Sequence, residues 1–267
     1  MRPPHTAMLD SITPLLITFN EAPNIQRVLE KLSWARRIVV IDSGSTDGTL
    51  EIIAQFPQVE IVHRPFDSFA EQCNFGLAQI KSEWVLSLDA DYELSDDLVR
   101  ELHQLQQADS VAGYRAAFVY RIYGRPLRGT LYPPRTVLYR VQGAAYVNEG
   151  HGHRISVPGE VRTLRGVIYH DDRKPLSRWF SSQQKYARIE ADHLLTSSRA
   201  ELSRVDRIRL MGWPAPLLVL FYVLLAKGCV LDGWAGWFYT LQRVLAETMI
   251  ALELLDRRIS ANPAKQR

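Results

Sequence analysis

The sequence predicts an α/β fold: a Rossmann-like, mostly parallel sheet with helices on both faces, followed by C-terminal helices that associate with a membrane. Three observations carry this expectation. Short β-branched apolar runs alternate with stripes at helical spacing through residues 9–110. Several of those runs end in acidic residues, at the edge where open parallel sheets collect their ligands. Finally, the 14 residues 213–226 carry no charge at all, a sharp shift in composition near the C-terminal end.

The elements follow in order. Residues 12–18 read as a first strand, with Pro14 tolerable near its start or at an edge. Ile25, Val28, Leu29 and Leu32 form the apolar stripe of a helix. Residues 38–41 are continuously branched or apolar, as in a strand covered on both faces, and they end on Asp42. A third strand at 59–62 and a helix carrying Phe69, Cys73, Leu77 and Ile80 precede a fourth strand at 84–88, which ends on Asp89. Ser95 is suited to cap a helix with Leu98, Leu102 and Leu105 on one side. Beyond Ala108 the pattern changes to strand-like stretches, 113–123 and 136–141, with further strands up to Tyr169. Helical signals return over 176–211.

With 267 residues, 46% of them hydrophobic, the chain can build a full core. A net charge of +3 is too small to imply a nucleic-acid partner. Cys73 and Cys229 lie too far apart, in segments too different, for a disulfide framework or a cysteine metal cluster. The first ten residues contain no signal-peptide core, so the catalytic part is expected in the cytoplasm.

Two acidic groups carry the chemistry. Asp42 opens the run Asp42-Ser43-Gly44-Ser45-Thr46-Asp47-Gly48-Thr49, in which glycines permit tight turns and the hydroxyls and Asp47 can cap the next helix. A well-capped turn explains that run as well as a ligand does. Asp89 and Asp91 make a sharper case, because two carboxylates one residue apart after a buried strand repel unless a cation or proton lies between them. A divalent metal bridging to phosphate oxygens answers this; a solvated acidic turn is the alternative. A phosphohydrolase with Asp89 as nucleophile and Asp91 as acid and base would also place Asp-x-Asp here, but Tyr92 stands where such enzymes usually carry Thr or Val. Nucleotidyltransferases are disfavoured because their glycine-rich loop is missing after the first strand.

Ile17-Thr18-Phe19-Asn20-Glu21, then Val39 through Thr49, then Leu88-Asp89-Ala90-Asp91 resemble the ordered motifs of family 2 glycosyltransferases with the GT-A fold. Ile168 through Lys174 and Leu231-Asp232-Gly233-Trp234-Ala235-Gly236 resemble a bacterial subgroup that includes lipopolysaccharide core β-1,4-glucosyltransferases. The resemblance implies an inverting transfer of a hexose, glucose as a guess, from a nucleotide diphosphate-sugar, UDP favoured. Thr18, Asn20 and Glu21 would line the nucleoside pocket and Asp42 would hydrogen-bond the base. Asp89 would lie near ribose and metal, and Asp91 would ligate Mn²⁺ or Mg²⁺ on the diphosphate. Asn74 and Gly76 match a segment near the diphosphate, although Cys73 stands where a basic residue is common. His170 resembles a histidine that some GT-A enzymes use as a further metal ligand; a strand-end histidine bonded to backbone is the other reading.

An inverting transfer needs a general base. The polar, glycine-containing stretch 148–153 supplies Glu149, with His151 as second choice, unless it is only a surface turn. The expected organisation is a GT-A domain over 9–200, with a nucleotide-binding half at 9–110 and an acceptor half at 111–200, and a helical membrane-associated segment at 201–258.

The apolar stretch 213–226 falls short of the roughly 30 Å hydrocarbon core. Pro214 and Pro216 open it, and Lys227 interrupts it before Leu231. An interfacial or re-entrant helix, peripheral or monotopic on the cytoplasmic face of the inner membrane, is therefore expected. Arg204, Arg207 and Arg209 before it and Arg257 and Arg258 after it could meet anionic headgroups. The alternative is a buried hairpin in a homo-oligomer, with Trp234, Trp237, Phe238, Leu241 and Leu245 at the interface. Between Arg121 and Lys174 ten Arg or Lys face four Asp or Glu, an excess suited to an anionic lipid-linked or lipopolysaccharide acceptor, or simply a solvated basic face. A membrane-docked scaffold without turnover is the non-enzymatic rival.

Overall fold

A computed structural model describes residues 8–106, 109–149, 152–200 and 202–261. The chain forms two compact units, Met1–Gly124 with Tyr132–Arg173, and Arg125–Leu131 with Lys174–Arg267.

The first unit runs β1 (Ile12–Thr18), α1 (Ile25–Lys31), β2 (Ile38–Asp42), α2 (Thr49–Ile53), β3 (Val59–His63), α3 (Phe69–Ala78), β4 (Trp84–Asp89), β5 (Tyr92–Leu94), α4 (Asp96–Gln104) and β6 (Val111–Ile122). After the two-residue β7 (Arg125–Pro126), which belongs to the second unit, it resumes with β8 (Arg135–Arg140), β9 (Ala145–Glu149), β10 (Gly152–Ser156) and β11 (Glu160–His170).

Its sheet is ordered β3-β2-β1-β4-β8-β6-β11-β5. The α/β expectation is met, but the sheet is mixed. Its first four strands are parallel, β8 runs against both β4 and β6, β11 is parallel to β6, and β5 is antiparallel to β11. Parallel strands demand long crossovers, and β1 to β4 are linked through α1, α2 and α3 in that way. The β9–β10 hairpin stands apart as a two-stranded sheet.

Alternation along the central strands separates two cores. Leu16, Val40 and Leu86 pack with Ile25, Val28 and Leu29 of α1 and with Leu98 and Leu102 of α4. Their chain neighbours Leu15, Val39, Ile41 and Val85 pack on the opposite face with Ala70, Cys73 and Leu77 of α3. Helices thus cover both faces. Pro14 lies in a central strand, yet the β1–β2 ladder begins only at Leu15, so its missing N–H precedes the part of β1 paired on both sides.

The second unit contains α5 (Leu176–Thr196), α6 (Arg204–Met211), α7 (Pro214–Phe221), a π-helical turn (Tyr222–Ala226), a 3-10 turn (Cys229–Asp232) and α8 (Trp234–Ser260). Ala187, Ala191 and Leu194 of α5 meet Ile250 and Leu254 of α8 around Leu202. Arg209 joins this packing by bonding Glu190 at 3.0 Å and Glu247 at 2.6 Å. The segment Arg125–Leu131 is pinned by Asp232, which accepts from the Arg128 N–H at 3.0 Å, and by the Tyr239 hydroxyl, which accepts from the Leu131 N–H at 3.1 Å. Gly236 is required here, since a β-carbon on it would overlap the Cys229 carbonyl. Cys73 and Cys229 are free and buried. No helix among the described residues is long and apolar enough to cross a membrane. The apolar helix ends at Ala226, because Gly228 turns the chain at φ +71°.

Candidate active site

Register alone gathers the acidic strand ends. Thr18 pairs with Asp42, Asp42 with His63, and Ile17 with Asp89, so parallel β1, β2 and β4 deliver their last residues to one sheet edge. This is the carboxyl edge at which α/β sheets bind ligands. Thr18 has a buried hydroxyl with no hydrogen-bond partner among the described residues. Such a group at a strand end is suited to an incoming polar ligand.

Asp42 is fully buried, and its carboxylate organises its own turn. It accepts from the Gly44 N–H at 2.9 Å, the Ser45 N–H at 3.0 Å and the Ser45 hydroxyl at 2.5 Å, while His63 Nδ1 lies 3.3 Å away. Gly44 and Gly48 hold φ values of +93° and +89°, the left-handed region that favours glycine. Asn20, itself at φ +56°, knits the first loop to this turn: its N–H donates to Ser45 Oγ at 2.8 Å, and its Oδ1 accepts from the Thr46 N–H at 2.7 Å. Glu21 N–H donates to Thr49 Oγ1 at 2.7 Å and Ala22 N–H to Asp47 at 3.2 Å. Burial alone would raise the Asp47 pKa, but the Thr49 hydroxyl and the N–H groups of Ala22 and Thr49 outweigh it and hold the carboxyl below the usual range.

Asp91 follows β4 directly, and β5 then pairs antiparallel with the end of β11, Tyr92 opposite His170. Asp91 Oδ2 therefore lies 3.1 Å from His170 Nε2. Burial disfavours the charged imidazole, yet the Asp91 carboxylate, with Asp89 and Asp172 adding to it, outweighs burial and raises the His170 pKa. The rings of Tyr92, Tyr120 and Tyr132 enclose His170 at centroid distances of 5.1, 4.6 and 5.0 Å. His170 Nδ1 is buried with no hydrogen-bond partner among the described residues. Among those residues no group of three or more His, Cys, Asp or Glu side chains is placed to hold a metal.

The family model described as glycosyl transferase family 2 matches residues 15–157, the segment that contains both acidic strand ends, Asp42 and Asp89, and Asp91 beside them. The chain belongs to this family. A lipopolysaccharide core biosynthesis glycosyltransferase, LpsC of Rhizobium meliloti (strain 1021), is 28% identical over 205 residues, 70% of this chain and 73% of the relative. An uncharacterized glycosyltransferase of Rickettsia bellii (strain RML369-C) is 23% identical over 95% of this chain and 89% of its own length. Among solved structures, S. aureus TarS 1-349 in complex with UDP-GlcNAc aligns at 13% identity and a TM-score of 0.46, covering 93% of this chain and 92% of that one. A longer TarS chain aligns at 14% identity and a TM-score of 0.43 over 90% of this chain; this chain spans 54% of it.

This family 2 glycosyltransferase has the α/β arrangement with helices on both faces that the sequence predicted, with a mixed rather than mostly parallel sheet. Family membership also decides against a phosphohydrolase. Of the residues singled out in sequence, Thr18, Asn20, Glu21, Asp42 and Asp89 share one edge, and Asp91 and His170 form a pair beside it. Asn74 and Gly76 have structural partners. Both amide groups of Asn74 bond the Tyr146 backbone, at 3.0 and 2.8 Å, and a β-carbon on Gly76 would stand 2.7 Å from Leu15 Cδ1. Glu149 ends β9 with its backbone opposite Gly152. His151 lies outside the described residues.

Sequence inspection missed Asn24, which is fully buried. Its Nδ2 donates to Glu21 Oε2 at 2.9 Å and to Asp172 Oδ1 at 3.2 Å, and its Oδ1 accepts from the Arg173 N–H at 3.1 Å. Asp171 beside it accepts from the Gly124 N–H and the Arg173 guanidinium, at 2.9 and 2.8 Å. No local pattern marks Asn24, because its partners Asp172 and Arg173 follow β11, far along the chain.

Proposed function

We propose that this enzyme is a metal-dependent, inverting hexosyltransferase that takes sugar from a nucleotide diphosphate-sugar, UDP-linked by motif resemblance, and passes it to a membrane-bound glycan of the lipopolysaccharide core type. The observation that carries the donor half is the convergence of Thr18, Asp42 and Asp89 on one sheet edge, next to the Asp91–His170 pair. The acceptor class is supported by the LpsC relative.

Asp91 and Asp89, with His170 as a further ligand, would hold Mn²⁺ or Mg²⁺. A hard divalent cation prefers oxygen and is commonly held by one or two carboxylates with substrate phosphates completing its shell, which the Asp89-Ala90-Asp91 pair fits. When bound, the cation offsets the charge gathering on the departing diphosphate. The Asn20–Ser45 and Glu21–Thr49 bonds hold the nucleoside side of the site rigid before substrate arrives, so no reorganisation is needed at transfer. Glu149 is the proposed base that accepts the proton of the acceptor hydroxyl.

The second unit would bind the cytoplasmic face of the inner membrane. Trp213 is 71% exposed, and Leu217, Phe221 and Leu225, spaced four apart, are exposed with Leu218 and Tyr222 beside them. The continuous helical run 214–226 is about 20 Å long at 1.5 Å per residue, a length suited to lying in the interface.

Thermal-shift measurement with UDP-, GDP-, ADP- and dTDP-sugars, each with Mn²⁺, Mg²⁺ or EDTA, tests the donor half. One donor should raise the melting temperature only with a cation, because stabilisation follows affinity by mass action. Equal shifts in EDTA would remove the metal, and no shift with any donor would remove the assignment.

A further inference from the structure

Arg135 is the first residue of β8, and its guanidinium stacks over the Tyr132 ring at 4.6 Å from the centroid. Because β8 runs against β4, pairing Trp84 with Arg140 and Leu86 with Leu138, it begins on the side of the sheet where β4 ends. Tyr132 in turn packs 5.0 Å from the His170 ring, whose Nε2 meets Asp91. Arg135 is thereby placed at the carboxyl edge by strand direction and held there by an aromatic face.

The other arginines near this edge are committed. Arg64 pairs with Asp67 at 2.6 Å, Arg27 and Arg121 both face Glu93 at 3.6 Å, and Arg173 pairs with Asp171 at 2.8 Å. Arg135 has no carboxylate within ion-pair distance among the described residues, although Asp89 is among the charges it feels. Helix α3 supplies no substitute: Cys73 is buried, its thiol pushed up by burial and then by Asp89, and the Asn74 amide is occupied by Tyr146. A half-buried, stacked guanidinium without a carboxylate partner is suited to bidentate recognition of a phosphate.

We propose that Arg135 binds the diphosphate of the donor and stabilises it as it departs. This rests on the nucleotide diphosphate-sugar reading above. It adds a residue from the start of an antiparallel strand to a site otherwise built from parallel strand ends.

The test is calorimetric titration of the full chain in Mn²⁺ and Mg²⁺. UDP, GDP, ADP and dTDP are compared on the wild type, and the preferred base is then taken as diphosphate, monophosphate and free nucleoside to wild type, Arg135→Gln and Arg135→Lys. Arg135→Gln should weaken the diphosphate by roughly ten- to a hundredfold, the span of a lost charge-assisted hydrogen bond, and leave the nucleoside within about twofold. Arg135→Lys should recover part of the loss, because it restores charge without the fork. Unchanged diphosphate affinity in Arg135→Gln, or an equal loss for diphosphate and nucleoside, would overturn the assignment while leaving the donor reading intact. A wild type that binds no nucleoside diphosphate would overturn both. Thermal melts of each variant identify an unfolded protein, and Arg135→Lys then serves as the deciding comparison with the wild type.

Discussion

Asp91 Oδ2 and His170 Nε2 stand 3.1 Å apart although 79 positions separate them, and the three-residue strand β5 is what joins them. Replacing Asp91 with Asn keeps the shape and removes the negative charge. Transfer should fall by at least about a hundredfold in kcat, the scale of losing one electrostatic stabiliser. Steady-state nucleoside diphosphate release, followed with melting temperature as a control, checks this; wild-type turnover in a folded Asp91→Asn protein would end the catalytic assignment.

Asn24 ties Glu21, which follows β1, to Asp172 and Arg173, which follow β11. Asn24→Ala should lower stability by about 1–3 kcal/mol, because Glu21, Asp172 and the Arg173 N–H lose a partner in a buried setting. Urea unfolding measures the loss, and a change within about 0.5 kcal/mol would show the network to be dispensable.

Two glycines test different physics. A β-carbon on Gly166 would overlap the Leu98 backbone, so Gly166→Ala must push α4 off β11 at a cost of about 1–3 kcal/mol or more. Gly44 has open space but φ +93°, so Gly44→Ala should cost about 1–2 kcal/mol through backbone strain alone. Gly44→Asn should recover part of that, whereas no polar side chain rescues Gly166. Chemical denaturation of the three variants distinguishes the two mechanisms.

Surface attachment is tested at the exposed stripe of the second unit. Phe221→Asp with Leu225→Asp should abolish cosedimentation with phosphatidylglycerol vesicles without lowering the melting temperature, since both side chains face outward. If the wild type instead fails to sediment and forms a dimer that the double variant dissociates in light scattering, the stripe is a protein interface.

Much of the stretch 9–110 was legible because local pattern and fold agree there. The runs ending on Asp42 and Asp89 became strands that end on those residues, and Ser95 caps α4 by accepting from the Leu98 N–H at 3.1 Å. Arg135 and Asn24 were not legible, because their significance depends on partners more than forty residues away or on strand direction. Nothing in 135–140 announces that this strand runs against β4. The division of labour around Asp42 was hidden for another reason: a carboxylate that shapes its own turn and one that faces a ligand have the same sequence.

Asn24 also has a consequence for biosynthesis. Its partners Asp172 and Arg173 lie 148 and 149 positions downstream. At roughly 5–20 residues per second, about 7–30 s of translation separate the two sides of this knot. A nascent chain can thus collapse its early strands while the loop after β1 still lacks its last tie, and that loop would be completed late, as the segment after β11 emerges.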